Sequence, residues 1–227
     1  MFDIADEFGA TNTVLVDAGV PDSKGTANLL RQVKAVAETA PLRLLIVTHG
    51  HLDHVGGLAE LQSAFPEMGI IMHSNEAPYL VGPRKQQAKY SSVPSDNAAY
   101  TIVRSFLQKL LPQPEADPAR TFLLSGDSGD VADARANVTA AQPAWLPPRG
   151  VLSFLRVPGH SPGQVALLHK PSGTLVSADV VMYGRGLAHL DADKLLELPF
   201  ERLFPSHDDG TGVVPGALRK LVASFKQ

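Results

Sequence analysis

Three histidines and an aspartate fall within six positions of the segment Thr48-His49-Gly50-His51-Leu52-Asp53-His54-Val55-Gly56-Gly57. Neutral imidazoles and carboxylates are good ligands for zinc and similar divalent metals. His49 and His51, two apart in an extended loop, can point the same way and share one ion. Asp53 and His54 lie further round the turn and can reach a second. Gly50, Gly56 and Gly57 permit the tight backbone that so crowded a loop needs. A polar strand-to-helix loop with Asp53 as helix cap is the bland alternative, and nothing in such a loop demands three histidines.

The elements around this segment alternate in type. Thr13 to Asp17 is a short β-branched run closed by the turn signal Asp17-Ala18-Gly19. Residues 24–38 set Ala27, Leu30, Val33 and Ala37 at helical spacing, and Pro41 ends that helix. Leu42 to Val47 is nearly all apolar and reads as a strand buried on both faces, leading straight into the histidines. A short helix at Leu58–Leu61 and a strand at Gly69–His73 follow, an order that implies an α/β layered fold. Residues 96–111 read as an amphipathic helix, while 112–149 carry six prolines and read as an irregular lid or insertion. Regular structure resumes at Val151–Val157. Gln164–His169 and Thr174–Ala178 flank a hairpin turn at Pro171-Ser172-Gly173. Asp191 caps a short helix, and the last helix starts at about Pro215.

Composition narrows the chemistry. The chain has 227 residues, 44% of them hydrophobic and 19% charged, which suits a folded chain with a sizeable core. It has no cysteine, so disulfides, thiolate nucleophiles and zinc-thiolate sites are excluded. A net charge of −3 does not favour duplex nucleic acid as a partner. No apolar run reaches the roughly 18 residues of a membrane-spanning helix. The acidic start, Met1 to Glu7, has no signal-peptide character, and a soluble, cytoplasmic protein is expected.

The His49–His54 segment resembles the HxHxDH motif of the metallo-β-lactamase superfamily. Four further places match in order and strand context: Asp17 at the end of the first strand run, His160 in Pro158-Gly159-His160-Ser161-Pro162-Gly163, Asp179 after the strand Thr174–Ala178, and His207 in Phe204-Pro205-Ser206-His207-Asp208. The resemblance runs from residue 13 to 209. It implies an αββα sandwich, a single domain over 1–227 with an irregular insertion at about 82–149, and two metal ions. His49, His51 and His160 would hold one ion, and Asp53, His54 and His207 the other. Asp179 would bridge them, and Asp17 would orient a ligand or the motif loop from behind. Zinc is the expected metal, with iron and manganese as alternatives.

The implied chemistry is hydrolysis of a small-molecule carbonyl substrate (an ester, thioester, lactone or β-lactam) by a hydroxide held between the metals. Asp53 doubles as ligand and catalytic proton acceptor. An Asp179 bridge resembles glyoxalase II-like and lactonase-like members more than dedicated β-lactamases. The rivals are a phosphodiesterase or nuclease of the same fold, a mononuclear iron persulfide oxygenase, and a non-catalytic metal-binding protein. Tyr183 and His189 are candidates for the substrate pocket, and Trp145 with the 96–111 helix for its wall. Two departures from the family pattern carry expectations of their own. Only Met1 to Asn12 precede the first strand run, where the family usually has a strand pair, so a truncated start or a reduced first sheet is expected. The 82–149 insertion is expected to govern substrate choice.

Overall fold

The computed structural model describes residues 1–6, 8–21, 23–81, 114–136, 145–182, 187–188, 191–207 and 212–225. Its first sheet has six strands in the order β1 (Phe2–Ala5), β2 (Thr11–Val16), β3 (Leu42–Ile46), β4 (Gly69–His73), β5 (Thr121–Leu124) and β7 (Arg135–Ala136). β2 to β5 run parallel, and β1 and β7 close the two edges antiparallel. Parallel neighbours need crossovers. Here α1 (Ser23–Ala37) joins β2 to β3, and α2 (Leu52–Val55) with α3 (Leu58–Ala64) joins β3 to β4. A fourth helix, the four-residue α4 (Ala77–Leu80), follows β4. The second sheet has five strands ordered β13 (Arg202–Pro205), β10 (Thr174–Ala178), β9 (Val165–His169), β8 (Leu152–Arg156) and β6 (Ser128–Asp130). A two-stranded pair, β11 (Val181–Met182) and β12 (Leu187–Ala188), and a terminal helix, α5 (Pro215–Phe225), complete the described strands and α-helices, and a 3-10 helix at Ala192–Glu197 precedes β13.

Side-chain alternation along the strands builds four layers from three apolar clusters. Leu45, Ile70 and Met72 turn outward onto Val33 of α1 and Leu58 and Leu61 of α3. Their sequence neighbours Leu44, Ile46 and Ile71 turn inward and meet Phe154, Val165 and Leu167 between the sheets. Ala166 and Leu168 face the far side, where Leu218 and Val222 of α5 cover them. Leu44, Leu45, Ile70, Ile71 and Leu218 are fully buried. Each such side chain contributes about 1.5–3 kcal/mol of transfer free energy. The layers are therefore helix, sheet, sheet, helix, as the resemblance implies.

Two segments differ from the sequence reading. One strand, β1, precedes β2 where the resemblance implied a pair, and the first sheet still reaches six strands because β5 and β7 join its other side. Those strands come from the region read as an irregular insertion. Residues 114–136 are not a lid: β5 and β7 belong to the first sheet and β6 to the edge of the second. Phe122 and Leu124 anchor the stretch in the inter-sheet core. Arg120 fixes its entry by donating to the carbonyls of Gln62, Phe65 and Pro66, and the Gln62 amide grips Glu115 O and Asp117 N from the other side. Trp145 packs, partly buried, against the inter-sheet cluster. The 96–111 helix reading falls outside the described residues.

Candidate metal centre

All the chemistry-bearing segments sit at one end of the two sheets. Asp17 follows β2, the His49–His54 loop follows β3, Asp179 follows β10 and His207 follows β13. β2 and β3 are parallel, as are β10 and β13, so the carboxyl ends within each pair lie together. His160 stands in the turn between β8 and the antiparallel β9, which brings it to the same end. The loops are joined at their base, where Val165 N–H donates to Thr48 O at 3.1 Å.

Asp17 organises the motif loop. Its Oδ1 accepts from Thr48 N–H at 2.8 Å, and its Oδ2 takes the Thr48 hydroxyl and His54 Nδ1, each at 2.8 Å. Nδ1 of His54 therefore carries a proton, and Nε2 is turned into the site, 3.2 Å from Asp179 Oδ1. The same logic sets His49. The Thr48 hydroxyl gives its one proton to Asp17, so at 3.1 Å it accepts from His49 Nδ1–H, and His49 Nε2 faces inward with a lone pair. Gly56 and Gly57 let the loops close on each other. A Cβ on Gly56 would lie 2.1 Å from Pro21 N, and one on Gly57 2.7 Å from Ala18 O.

Three non-glycine residues among those described have positive φ: Asp17 (59°), Ala178 (48°) and His207 (58°). Each conformation costs about 1–3 kcal/mol. All three are at the site, since Ala178 directly precedes Asp179. The strain is thus confined to the turns that aim these side chains.

The imidazoles converge closely. His51 Nδ1 lies 3.0 Å from His49 Nε2 and 2.7 Å from His160 Nε2. Asp179 Oδ2 lies 3.2 Å from His160 Nε2 and 3.5 Å from His207 Nε2, and His207 Nε2 is 3.4 Å from Asp53 Oδ2. The donors fall into groups whose ligand atoms lie within 4.8 Å of one another: His49, His51 and His160; His49, His54 and Asp179; Asp53, His54 and His207. The structure thus brings all seven ligand candidates together, with Asp17 behind them. Tyr183 and His189 lie outside the described residues. His73, by contrast, is occupied elsewhere, with its Nε2 at 2.9 Å from Gly126 O.

The electrostatics of the site fit bound cations. Asp179 is 1% exposed, and neither of its oxygens accepts a hydrogen bond of ordinary geometry. A buried carboxylate without such partners is costly, and divalent cations would satisfy it. Burial pushes the Asp179 carboxyl up, but His207 and His54 override it and hold it well below the usual carboxylate range. Burial, together with the neighbouring His54 and His51, holds His49 well below its ordinary value. His54 is also pulled down by burial, yet Asp17 and Asp179 hold it well above. His207 is raised to about 9 by Asp179 and Asp53. The shifts are opposed because imidazoles and carboxylates face one another at close range out of water.

Glu76, a residue with no signal in the sequence reading, also belongs here. It is fully buried, and its Oε2 accepts from Gly50 N–H at 2.8 Å, between His49 and His51. The one available cue was its place just past the carboxyl end of β4, the parallel neighbour of β3.

Comparison with known proteins agrees with this geometry. The chain is 26% identical over 170 residues to the probable metallo-hydrolase YflN of Bacillus subtilis, a match covering 74% of the chain and 55% of that relative. The chain spans little more than half the length of the curated relatives it matches. In fold it is similar to the BLEG-1 B3 metallo-beta-lactamase, with a TM-score of 0.59 at 20% identity, covering 96% of this chain and 90% of that one. It is also similar to TTHA1623, solved in a di-iron-bound form, with a TM-score of 0.57 at 22% identity, covering 97% and 91%. Residues 7–207 match the sequence pattern of one family, and the chain belongs to the metallo-beta-lactamase superfamily.

Proposed function

We propose that this protein is a metal-dependent hydrolase that opens a small carbonyl substrate, namely an ester, thioester, lactone or β-lactam, with two divalent ions as its cofactors. The observation that carries the reading is the pairing of a sealed donor group with an open one across Asp179. His49, His51 and His160 are 0–2% exposed, whereas the side chains of Asp53 and His207 are 27% and 31% exposed. His49, His51 and His160 would hold one ion; Asp53, His54 and His207 would hold the other, with Asp179 between them. Such cations supply a nucleophilic water at neutral pH and stabilise the developing oxyanion.

The chain's own residues do the rest. The substrate reaches the site from the Asp53–His207 side, because the other side is closed by the core. Asp53, on that open side, is the carboxylate placed to accept a proton from the nucleophile and pass it on. Asp17 keeps His54 in the tautomer that offers Nε2 inward. Zinc is the proposed metal; iron is the second reading, favoured by the di-iron state of the similar TTHA1623.

A substrate panel tests the activity. Lactones, thioesters, β-lactams and phosphodiesters are offered to protein loaded with zinc or iron, and oxygen uptake is followed with a persulfide. The reading expects turnover of a carbonyl substrate that a chelator stops and added metal restores. Turnover confined to phosphodiesters, or oxygen uptake with the persulfide, contradicts it.

A further inference from the structure

Glu76 stands in the turn after β4 and is completely buried. Among the described residues no lysine or arginine pairs with it. Its carboxylate instead gathers donors from two loops far apart in sequence. Oε2 accepts from Gly50 N–H at 2.8 Å. Oε1 accepts from Gly163 N–H at 2.6 Å and from the Ser161 hydroxyl. Gly50 lies between His49 and His51, and Ser161 follows His160 directly. One buried side chain therefore spans the loop that carries two donors of the sealed group and the loop that carries the third.

Both loops are pressed onto the Glu76 turn by missing side chains. A Cβ on Gly163 would lie 2.9 Å from both Glu76 N and Glu76 Cγ, and one on Gly50 3.3 Å from Glu76 Oε2. The second loop is held from another direction as well, since Arg156 donates to Pro162 O at 3.1 Å while paired with Asp127 at 2.9 Å. Desolvating a carboxylate this fully is expensive unless its oxygens are hydrogen-bonded. Burial pushes the Glu76 carboxyl up, and the bonds from Ser161, Gly50 and Gly163 pull it back. A fold that needed only an apolar filler at this place would not carry that cost.

We propose that Glu76 is a positioning residue that clasps the His49–His51 loop to the His160 loop and so sets the geometry of the first metal group. The proposal rests on the two-metal reading above. Three donors require an acceptor at both carboxylate oxygens. Glutamine keeps the shape but presents an amide N–H₂ to donors that then have no acceptor. Outer partners of metal ligands are typically worth 10–100-fold in affinity.

The test uses metal alone. Wild type, Glu76→Gln and Ser161→Ala are stripped and titrated with zinc and with cobalt(II), and the cobalt absorption spectrum is recorded alongside thermal unfolding of the metal-free proteins. In Glu76→Gln, one of the two equivalents is expected to weaken about 10–100-fold with an altered cobalt spectrum, the other equivalent being kept. Ser161→Ala is expected to shift the same equivalent in the same direction by less. A lowered unfolding temperature with unchanged affinity and spectrum means that Glu76 only supports the fold, and overturns the proposal. If Glu76→Gln does not fold, Ser161→Ala decides: a weakened, spectrally altered equivalent upholds the clasp, and an unchanged one overturns it. A wild type that takes up neither metal removes the two-metal reading and this proposal with it, an outcome distinct from a wild type and variant that bind equally well.

Discussion

Asp17 Oδ2 lies 2.8 Å from His54 Nδ1 and shares that oxygen with the Thr48 hydroxyl. One carboxylate thus fixes the tautomer of one ligand candidate and, through Thr48, of another. Asp17→Asn is predicted to weaken metal binding about 10–100-fold while the protein stays folded. Asparagine tolerates the positive φ found at this position, so the substitution separates hydrogen bonding from backbone strain. Asp17→Ala should add a further destabilisation of about 1 kcal/mol from the same φ. Zinc titration with thermal unfolding checks both; equal affinity in Asp17→Asn and wild type would refute the orienting role.

Asp179→Ala should reduce metal stoichiometry and activity more than it reduces the fold. Its oxygens reach His54, His160 and His207, members of both donor groups, whereas the strand before it packs through Leu175 in the outer core. Metal counting and circular dichroism on the same sample separate the two effects. Full stoichiometry with undiminished turnover in the variant counts against a bridge.

His207 and His54 supply the pH dependence, since both are held above their ordinary values. In the metal-free protein the pKa of His207 stands at about 9, above the ordinary 6.5. The ion-pair stabilisation it contributes is therefore fully present below about 6.5 and lost as pH rises through about 9. A metal ligand must be a neutral imidazole, so metal uptake below pH 9 displaces this proton. Zinc addition at pH 7.5 should release protons, and apparent affinity should climb with pH through about 9 as the protons on His207 and His54 become easier to displace. Uptake without proton release at pH 7.5 is the contrary result.

Removing residues 114–136 is predicted to abolish folding. The cut takes β5 from beside β4, β6 from beside β8, and Phe122, Leu124 and Val131 from the inter-sheet core. Losing several buried large side chains at about 3–5 kcal/mol for a Phe and 2–5 for a Leu exceeds the margin of an ordinary domain. Soluble, cooperatively unfolding protein after this deletion would mean that the segment is peripheral after all.

The site was legible where its residues are contiguous or follow a strong strand. His49, His51, Asp53 and His54 announce themselves by crowding, and β3, β4 and β9 by apolar runs buried on both faces. Asp179 and His207 needed the resemblance, because a single aspartate or histidine after a strand is also an ordinary turn residue. β6 was not legible: Ser128-Gly129-Asp130 has no apolar residue, and it is a strand only because β8 offers an edge to pair with. β5 was masked by the prolines around it. Glu76 had no signature, since two of its three donors are backbone N–H groups of glycines brought near by the fold.

Counting metal ions tests the central claim most directly. Elemental analysis of the purified protein, repeated after stripping and reloading with zinc, should give close to two divalent ions per chain, as expected from seven donors in two groups that share Asp179. A chain that carries no metal and takes none up would contradict the account at its root.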